Sequence, residues 1–455
     1  MHVFYIHTHD SGRLFSPYGY DVPSNNLLDF AKDATTFANA YCVNPTCSPS
    51  RASLLTGQYP HQNGMLGLAQ RGFSLYDYDK HLCNFLKHNG YHSVLCGIQH
   101  EVDFYLNVEA SKKLGYDEIL TNPTTDFKAH KEDLHIWDEQ NVDTLIDWMK
   151  NYHEDAPLFI SYGMHSTHRP FPIEIDKDID ERFTKPIAPL PNREDTRKDT
   201  AQYLTSAKNA DHCFGKLMQA IKDLGWYDDS IILFTTDHGV AFPFNKCFLN
   251  DKGIGVSLLM RVPGSKTNGV VESLISHIDV FPTLCDLLHL EKPDYLEGES
   301  FAKVFEGEKL ESHDIFAEIN FHTSYEPIRA VRTDRYKYIR YFDTTHLKIN
   351  PSNTDTSLSK GFYMDYDYTN YKKDEEALYD TYYDPDEKNN LINDPELQDV
   401  VEELRKKLYD FQVRTNDPIL EGKLPIKPTY KVNKPDCIDA SSKNPDDYEE
   451  EGTFY

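Results

Sequence analysis

Short, wholly apolar segments alternate along this chain with stretches of helical periodicity, and that alternation constrains the fold more than any other feature. Leu158-Phe159-Ile160-Ser161-Tyr162, Ile231-Ile232-Leu233-Phe234-Thr235-Thr236 and Val256-Ser257-Leu258-Leu259-Met260 have the length and composition of buried strands, and Val3-Phe4-Tyr5-Ile6 reads the same way. Residues Val142 to Met149, Ala201 to Leu224 and Val280 to Leu290 read as helices. A strand without polar alternation has to be covered on both faces, which a largely parallel sheet between two helical layers achieves. The expected fold is therefore α/β, a mixed, largely parallel sheet sandwiched by helices. At 455 residues the chain is too long for one small core and suits a large domain plus a smaller one.

The texture changes near residue 325. Ile328 to Arg332 and Tyr336 to Arg340 read as a hairpin joined by Thr333-Asp334-Arg335, followed by a Tyr- and Asp-rich insert and then Leu378-Tyr379-Asp380. A last helix is expected from about Asp394-Pro395, with Leu397, Val400, Val401, Leu404, Leu408 and Phe411 on one face. After Pro418 comes a polar tail that ends in the acidic run Asp446 to Glu451, readable as a flexible end or a lid. The expected units are residues 1–324, 325–418 and 419–455, with no internal repeat.

Charge and cysteine usage narrow the function. Lys and Arg number 47 against 74 Asp and Glu, a net charge of -27, so nothing argues for nucleic-acid or anionic-membrane binding. Eight cysteines occur without a Cys-x-x-Cys pair, which indicates neither a zinc knuckle nor a disulfide framework. No run has the length of a membrane span, and no basic and apolar leader precedes the first strand, so a cytoplasmic, soluble protein is expected.

Chemistry in such sheets collects where strands end. His7-Thr8-His9-Asp10-Ser11-Gly12 ends the first strand and Asp237-His238-Gly239 ends the Ile231 strand. The pairs His9/Asp10 and Asp237/His238 could together hold one divalent ion, although each aspartate taken singly suits a turn or cap. The run Cys47-Ser48-Pro49-Ser50-Arg51-Ala52-Ser53-Leu54-Leu55-Thr56-Gly57 places a cysteine at a helix entry, a proline in the first turn and an arginine one turn on. Unpaired backbone N–H groups, the helix dipole and the Arg51 fork suit an anion there. A lone Cys-x-x-x-Arg would read as structural; the full run does not.

That run resembles the sulfatase signature, Cys-x-Pro-Ser-Arg closed by Thr-Gly. The resemblance implies an alkaline phosphatase-like fold with a small C-terminal subdomain, and a Cys47 oxidised to formylglycine by a formylglycine-generating or anaerobic maturase. It implies one divalent metal, calcium in the family, held by His9, Asp10, Cys47, Asp237 and His238. His9 stands where the family has aspartate, and two imidazoles soften the site, which keeps manganese open. Lys246 matches a sulfate-binding lysine, His168 a histidine at the leaving group or sulfate, and His100 the last residue of a Gly-Lys-Trp-His motif that contacts the hydrated aldehyde. Ile98 occupies the place of that motif's lysine, so either another basic residue such as Arg169 takes over or the substrate needs less charge there. Ser276-His277-Ile278-Asp279-Val280-Phe281-Pro282 resembles the helix entry that follows the metal strand.

The implied mechanism has one hydroxyl of the hydrated aldehyde at position 47 attack sulfur, Lys246 neutralise sulfate oxygens and His168 protonate the leaving group; the second hydroxyl then expels sulfate. The motif wording resembles the N-sulfoglucosamine branch, so a sulfated mono- or oligosaccharide, as in glycosaminoglycan degradation, is the expected substrate. Arg169, Glu101 and His165 suit either its sugar subsite or ordinary surface and packing roles. Two other readings stay open: a formylglycine-dependent phosphonate or phosphate ester hydrolase, and a sugar-binding protein with unmodified Cys47.

Overall fold

The computed structural model describes residues 1–103, 107–123, 134–422, 424 and 426–450. Its central sheet has nine strands: β1 (His2–Thr8), β2 (Thr35–Tyr41), β3 (His92–Gly97), β4 (Glu118–Ile119), β5 (Leu158–Gly163), β6 (Ser230–Thr236), β7 (Gly255–Val256), β8 (Leu258–Arg261) and β9 (Gly269–Ser276). They lie in the order β4-β3-β5-β1-β6-β8-β2-β7, with β9 beside β2. From β4 to β6 every pairing is parallel, whereas β8 runs antiparallel to β6 and to β2. The sheet is mixed and largely parallel, as expected.

The continuous apolar runs follow from cover on both faces. In β1 and β6, Val3, Tyr5, Ile231 and Leu233 point into one layer and Phe4, Ile6, Ile232 and Phe234 into the other, all buried. The first layer holds Leu54 and Leu55 of helix Cys47–Thr56 and Val280, Phe281 and Leu284 of helix Val280–Leu287. The second holds Val142, Leu145 and Met149 of helix Leu134–Asn151 with Tyr203, Phe214 and Leu217 of helix Glu194–Asp223. Burying each large side chain contributes about 1.5–3 kcal/mol.

Three details differ from the sequence reading. Both long helices start earlier than expected because their first turns bury polar residues, Asp138 and Asn141 in one and Thr196, Asp199 and Thr200 in the other, which blur the apolar stripe. The run Val256 to Met260 is two strands, because Ser257 turns to bond Gly12 O through its N–H (2.9 Å) and its hydroxyl (2.8 Å). The tail after Pro418 is anchored: Ile419, Leu424, Ile426 and Val432 pack with Met65, Phe73 and Phe321. Arg71 donates to Lys431 O at 3.0 Å and to Asn433 Oδ1 at 2.9 Å. Gly72, at φ +92°, lets Thr429 O approach to where a Cβ would sit 1.7 Å away. Glu451 of the acidic ending lies outside the described residues.

A second sheet, β10 (Ile315–Phe321), β11 (Tyr325–Arg332), β12 (Tyr336–Tyr341) and β13 (Glu376–Asp380), is antiparallel in chain order and opens ahead of the change in texture at residue 325. Ile315, Ala317, Ile319, Ile328 and Ala330 join the core of the main sheet. Val331, Tyr338 and Leu378 pack under Val401, Leu404, Leu408 and Phe411 of helix Gln398–Arg414. All eight cysteines are free and buried. Among the described residues no helix is long and apolar enough to cross a membrane.

Candidate active site

The site is built where β1 and β6 end together. Their parallel register pairs His7 with Thr235 and Thr8 with Thr236, so the residues that follow, His9-Asp10 and Asp237-His238, emerge side by side. Asp10, at φ +55°, turns so that its N–H donates to Asp237 Oδ1 at 2.8 Å. Gly12 N–H donates to His238 O at 2.8 Å. Gly239 is required after His238, since a Cβ there would lie 1.9 Å from Lys252 O.

Helix Cys47–Thr56 aims its first residue at this point and ends at Gly57, which is left-handed at φ +64°. Two side chains dock it. Ser50 Oγ donates to Asp237 O at 2.5 Å. Arg51, 1% exposed, donates to His7 Nδ1 at 2.5 Å, to Thr8 O at 3.0 Å and to Asp237 Oδ2 at 3.0 Å. The arginine read as an anion holder is thus committed to protein acceptors, and it fixes the helix to the strand ends.

Cys47 Sγ lies 3.7 Å from Asp10 Oδ1 and 3.3 Å from His238 Nε2. Donor atoms of Asp10, Cys47, Asp237 and His238 lie within 4.8 Å of one another, as do those of His9, Asp10, Cys47 and His168. His9 Nδ1 bridges Asp10 Oδ1 and Asp237 Oδ2, both at 3.0 Å. His238 Nδ1 donates to Gly239 O at 2.9 Å, which leaves the Nε2 lone pair facing Asp10 Oδ1 at 3.2 Å. Two carboxylates and an imidazole lone pair converging at these distances fit one divalent cation.

The electrostatics suit anions of the chain held without protons. Burial works to raise Asp10, but Lys246, His168 and His238 overrule it and hold the carboxyl well below its ordinary range. Asp237 is likewise held low against burial, by His238, Arg51 and His9. Burial foremost pushes the Cys47 thiol well above its ordinary value, with Asp10 and Asp237 adding to it and Lys246 and Arg51 opposing.

The other expected residues gather around this centre. Lys246 is buried, with Nζ 2.8 Å from Asp10 Oδ2 and 3.1 Å from Asp355 Oδ2. His168 donates from Nδ1 to Arg169 O, so its Nε2 faces Asp10 Oδ2 at 3.8 Å; burial pushes its pKa down to about 4. The His168 and His9 rings lie 4.5 Å apart and those of His100 and His9 5.5 Å. His100 Nε2 meets Gln70 Oε1 at 2.9 Å and its N–H donates to Glu101 Oε2 at 3.0 Å. His165 is 5.3 Å from His168, ring to ring. Water reaches the cluster at His168 and Asp355, whose side chains are 17% and 23% exposed while Asp10, Asp237 and His238 are at 0%.

One expectation is corrected. Arg169 does not replace the missing lysine: its fork closes on Asp199 at 2.7 and 2.9 Å, its Nε donates to Ala241 O, and it stacks on Phe171 and Phe242. Ile98 is fully buried, with its N–H on Gly163 O at 2.8 Å, so position 98 belongs to the packing of β3 against β5. Sequence reasoning missed Asp355 and His322, which come from the second sheet and its insert. Asn353 Oδ1 ties those segments together by accepting from Thr323 N and Ser324 N, each at 3.0 Å. It also missed Asp138, whose two oxygens accept from His165 N (2.6 Å) and Ser166 N (2.8 Å) and so shape the His168 loop. A lone acid on the apolar face of a helix was the available signal.

A family model described as Sulfatase matches residues 2–290, and one described as N-sulphoglucosamine sulphohydrolase, C-terminal, matches residues 237–373. An ulvan-active sulfatase of Formosa agariphila is 24% identical, covering 93% of this chain and 82% of the relative. The N-sulphoglucosamine sulphohydrolase of Homo sapiens is 26% identical, covering 89% of each. A solved structure in complex with D-glucosamine-2-N,6-O-disulfate superposes with a TM-score of 0.68 at 18% identity, covering 93% of this chain and 99% of the other. A phosphonate monoester hydrolase of Silicibacter pomeroyi gives 0.71 at 19% identity, covering 94% and 98%. At such identities the two structures speak for the fold, a mixed sheet between helices with a smaller antiparallel sheet beside it. The first family model spans well over half of a chain whose cysteine motif, strand-end pairs and lysine meet at one point, and the chain belongs to the sulfatase family.

Proposed function

We propose that this protein hydrolyses sulfate esters or sulfamates on a carbohydrate and releases inorganic sulfate, with Cys47 oxidised to formylglycine as its nucleophile. The observation that carries the reading is the convergence of Asp10, Asp237 and His238 on Cys47 at the first turn of a helix, with Lys246 beside them. His9, Asp10, Asp237 and His238 would hold the cation. The resemblance implies calcium, and the two imidazoles add softer donors that manganese accepts. Once bound, a divalent cation neutralises sulfate oxygens and favours an ionised oxygen next to it.

The chain's own groups do the rest. Lys246 is the cation that can turn from Asp10 and Asp355 toward a sulfate oxygen. Arg51 keeps Asp237 ionised and the helix in register. His168 Nε2, at the water-reached mouth, faces the place of the departing oxygen or nitrogen; neutral in the empty site, the ring would take up a proton at Nε2 beside the bound anion and pass that proton on. His100 is held by Gln70 and Glu101 beside His9, where it can orient the group at position 47. The relatives named for ulvan and for N-sulphoglucosamine support a sulfated glycan, and a sulfated amino sugar of the glycosaminoglycan kind fits the second family match. The free cysteines support a cytoplasmic location.

The phosphonate or phosphate ester reading draws on the similar fold of the phosphonate hydrolase and on Ile98 at a family lysine position. One experiment separates the readings: the mass of the proteolytic peptide carrying Cys47 from protein made in its own host, followed by sulfate release from a panel of sulfated mono- and disaccharides. The expected result is formylglycine at position 47 and release from at least one sugar. An intact thiol turns the reading to a sugar-binding protein, and faster turnover of a matched aryl phosphonate than of the aryl sulfate turns it to phosphorus.

A further inference from the structure

On the far side of the loop that carries Lys246 lies a cavity of about 880 Å³ that the chemistry above does not use. It falls within the size range of small-ligand sites, roughly 300–1,000 Å³. Its floor is an aromatic cluster centred on Phe244, whose ring meets Tyr363, Tyr368 and Tyr371 with centroids 5.3, 5.5 and 5.1 Å away, all at steep angles. Phe244 has φ +64°, a left-handed conformation that a bulky residue adopts at a cost of about 1–3 kcal/mol. The surrounding rings hold it there.

The mouth is aromatic too. Tyr366 and Tyr371, which line it, are 70% and 52% exposed, and large apolar faces left to water mark a binding surface. Four lysines and four carboxylates line the cavity, and Lys252 and Lys388 pair with Asp386 at 2.8 and 3.2 Å. The balance leaves no field for a sulfate group, in contrast to the site of Lys246. Tyrosine faces suit the C–H faces of pyranose rings, while phenol hydroxyls suit sugar hydroxyls.

The cavity is joined to the active site through two chain segments. Phe244 stands two residues before Lys246. Tyr368 Oη meets Thr354 Oγ1 at 3.0 Å, and the next residue, Asp355, pairs with Lys246. We infer that this cavity is an accessory carbohydrate site that takes uncharged pyranose units of a saccharide. Its tie to catalysis, as the place for the unsulfated part of a substrate, rests on the sulfated-glycan reading above; the binding itself does not.

The test uses the full-length protein with Cys47→Ala, so that no turnover interferes, and two probes, chitotetraose and cellotetraose, in calorimetric titration. Binding of at least one probe is expected, weakened tenfold or more by Tyr366→Ala with Tyr371→Ala, two exposed changes. Tyr409→Ala, an exposed tyrosine on helix Gln398–Arg414, should leave binding unchanged. No binding of either probe, binding indifferent to the tyrosine pair, or a dimer that buries Tyr366 and Tyr371 would overturn the inference. Failure of the sulfatase reading shows elsewhere, as no sulfate release by the unaltered enzyme while the probes still bind.

Discussion

Arg51 offers the sharpest test of how the site is held together. Its guanidinium makes three buried bonds, two to neutral acceptors (His7 Nδ1 and Thr8 O) and one to the Asp237 carboxylate. Arg51→Ala strands a buried carboxylate, at a cost of about 3–5 kcal/mol. Arg51→Lys keeps the charge but cannot span three acceptors, and losing two neutral bonds costs about 2 kcal/mol. Unfolding entropy of about 2 cal/mol/K per residue over 455 residues makes each kcal/mol worth about 1 °C in Tm. Scanning calorimetry of chelated protein should therefore show losses of about 3–5 °C for Arg51→Ala and about 2 °C for Arg51→Lys. With a saturating divalent cation the Arg51→Ala loss should shrink, because the cation then also balances Asp237. A shift under 1 °C in chelated protein, with a raised KM as the main defect, would refute the reasoning and return Arg51 to direct contact with the substrate anion.

Other outcomes follow from the same geometry. His168→Gln should lower kcat by about 10²–10⁴ on alkyl sulfates or sulfamates, with little effect on an aryl sulfate whose leaving group needs no proton; equal losses on both would remove His168 from proton transfer. Chelation should lower Tm by about 3 °C relative to cation at a hundred times its Kd, and calcium and manganese titrations monitored by Tm should name the cation; no response to either would empty the proposed metal site. Burial pushes His81 and His277 down to about 3, so between pH 6.5 and 4 the unfolded chain binds protons that the native one does not, and stability falls with falling pH. Asp138, raised by burial to about 7, works in the opposite sense over pH 7 to 4. His81 also caps helix Leu82–His88 by accepting from Cys83 N, a role asparagine can take, so His81→Asn should flatten the acid-side fall in stability by roughly one proton's worth, about 1.4 kcal/mol per pH unit. An unchanged slope would show that His81 titrates normally.

The parts of the site that were legible in the sequence are those fixed by local chain geometry. β1 and β6 announce themselves as apolar runs, and a residue just past a strand end can be placed without knowing the rest of the fold; His9, Asp10, Asp237 and His238 needed nothing more. Cys47 at a helix start is legible for the same reason, since Pro49 and Gly57 mark the ends. What Arg51 would do with its fork was not legible, because residue type specifies donors and not the acceptors that the packing of helix on sheet brings up. Asp355 was missed because it reaches Lys246 from the insert of a second sheet, through a contact that no periodicity encodes, and His322, whose pKa burial and then Lys246 push down, comes from that same sheet. The tail stayed open between a flexible end and a lid because its apolar residues, Ile419, Leu424, Ile426 and Val432, are too sparse to show a period, yet each enters one cluster.

The charges explain why an acidic protein can act on an anion. Asp10, Asp237 and Asp355 are three buried or half-buried carboxylates, faced by Lys246 and Arg51, with the imidazole of His168 held neutral by burial. The chain's own side chains therefore leave the centre with one net negative charge, which repels a sulfate ester. A divalent cation held, as proposed, among His9, Asp10, Asp237 and His238 would reverse the sign, and Lys246, relieved of part of Asp10, would then have a charge to offer. Attraction for the substrate is local and conditional, set against a chain whose overall charge is -27. The same accounting gives the charge-balanced, tyrosine-lined cavity beside Phe244 no such switch, so the sugar and the sulfate are recognised by different physics.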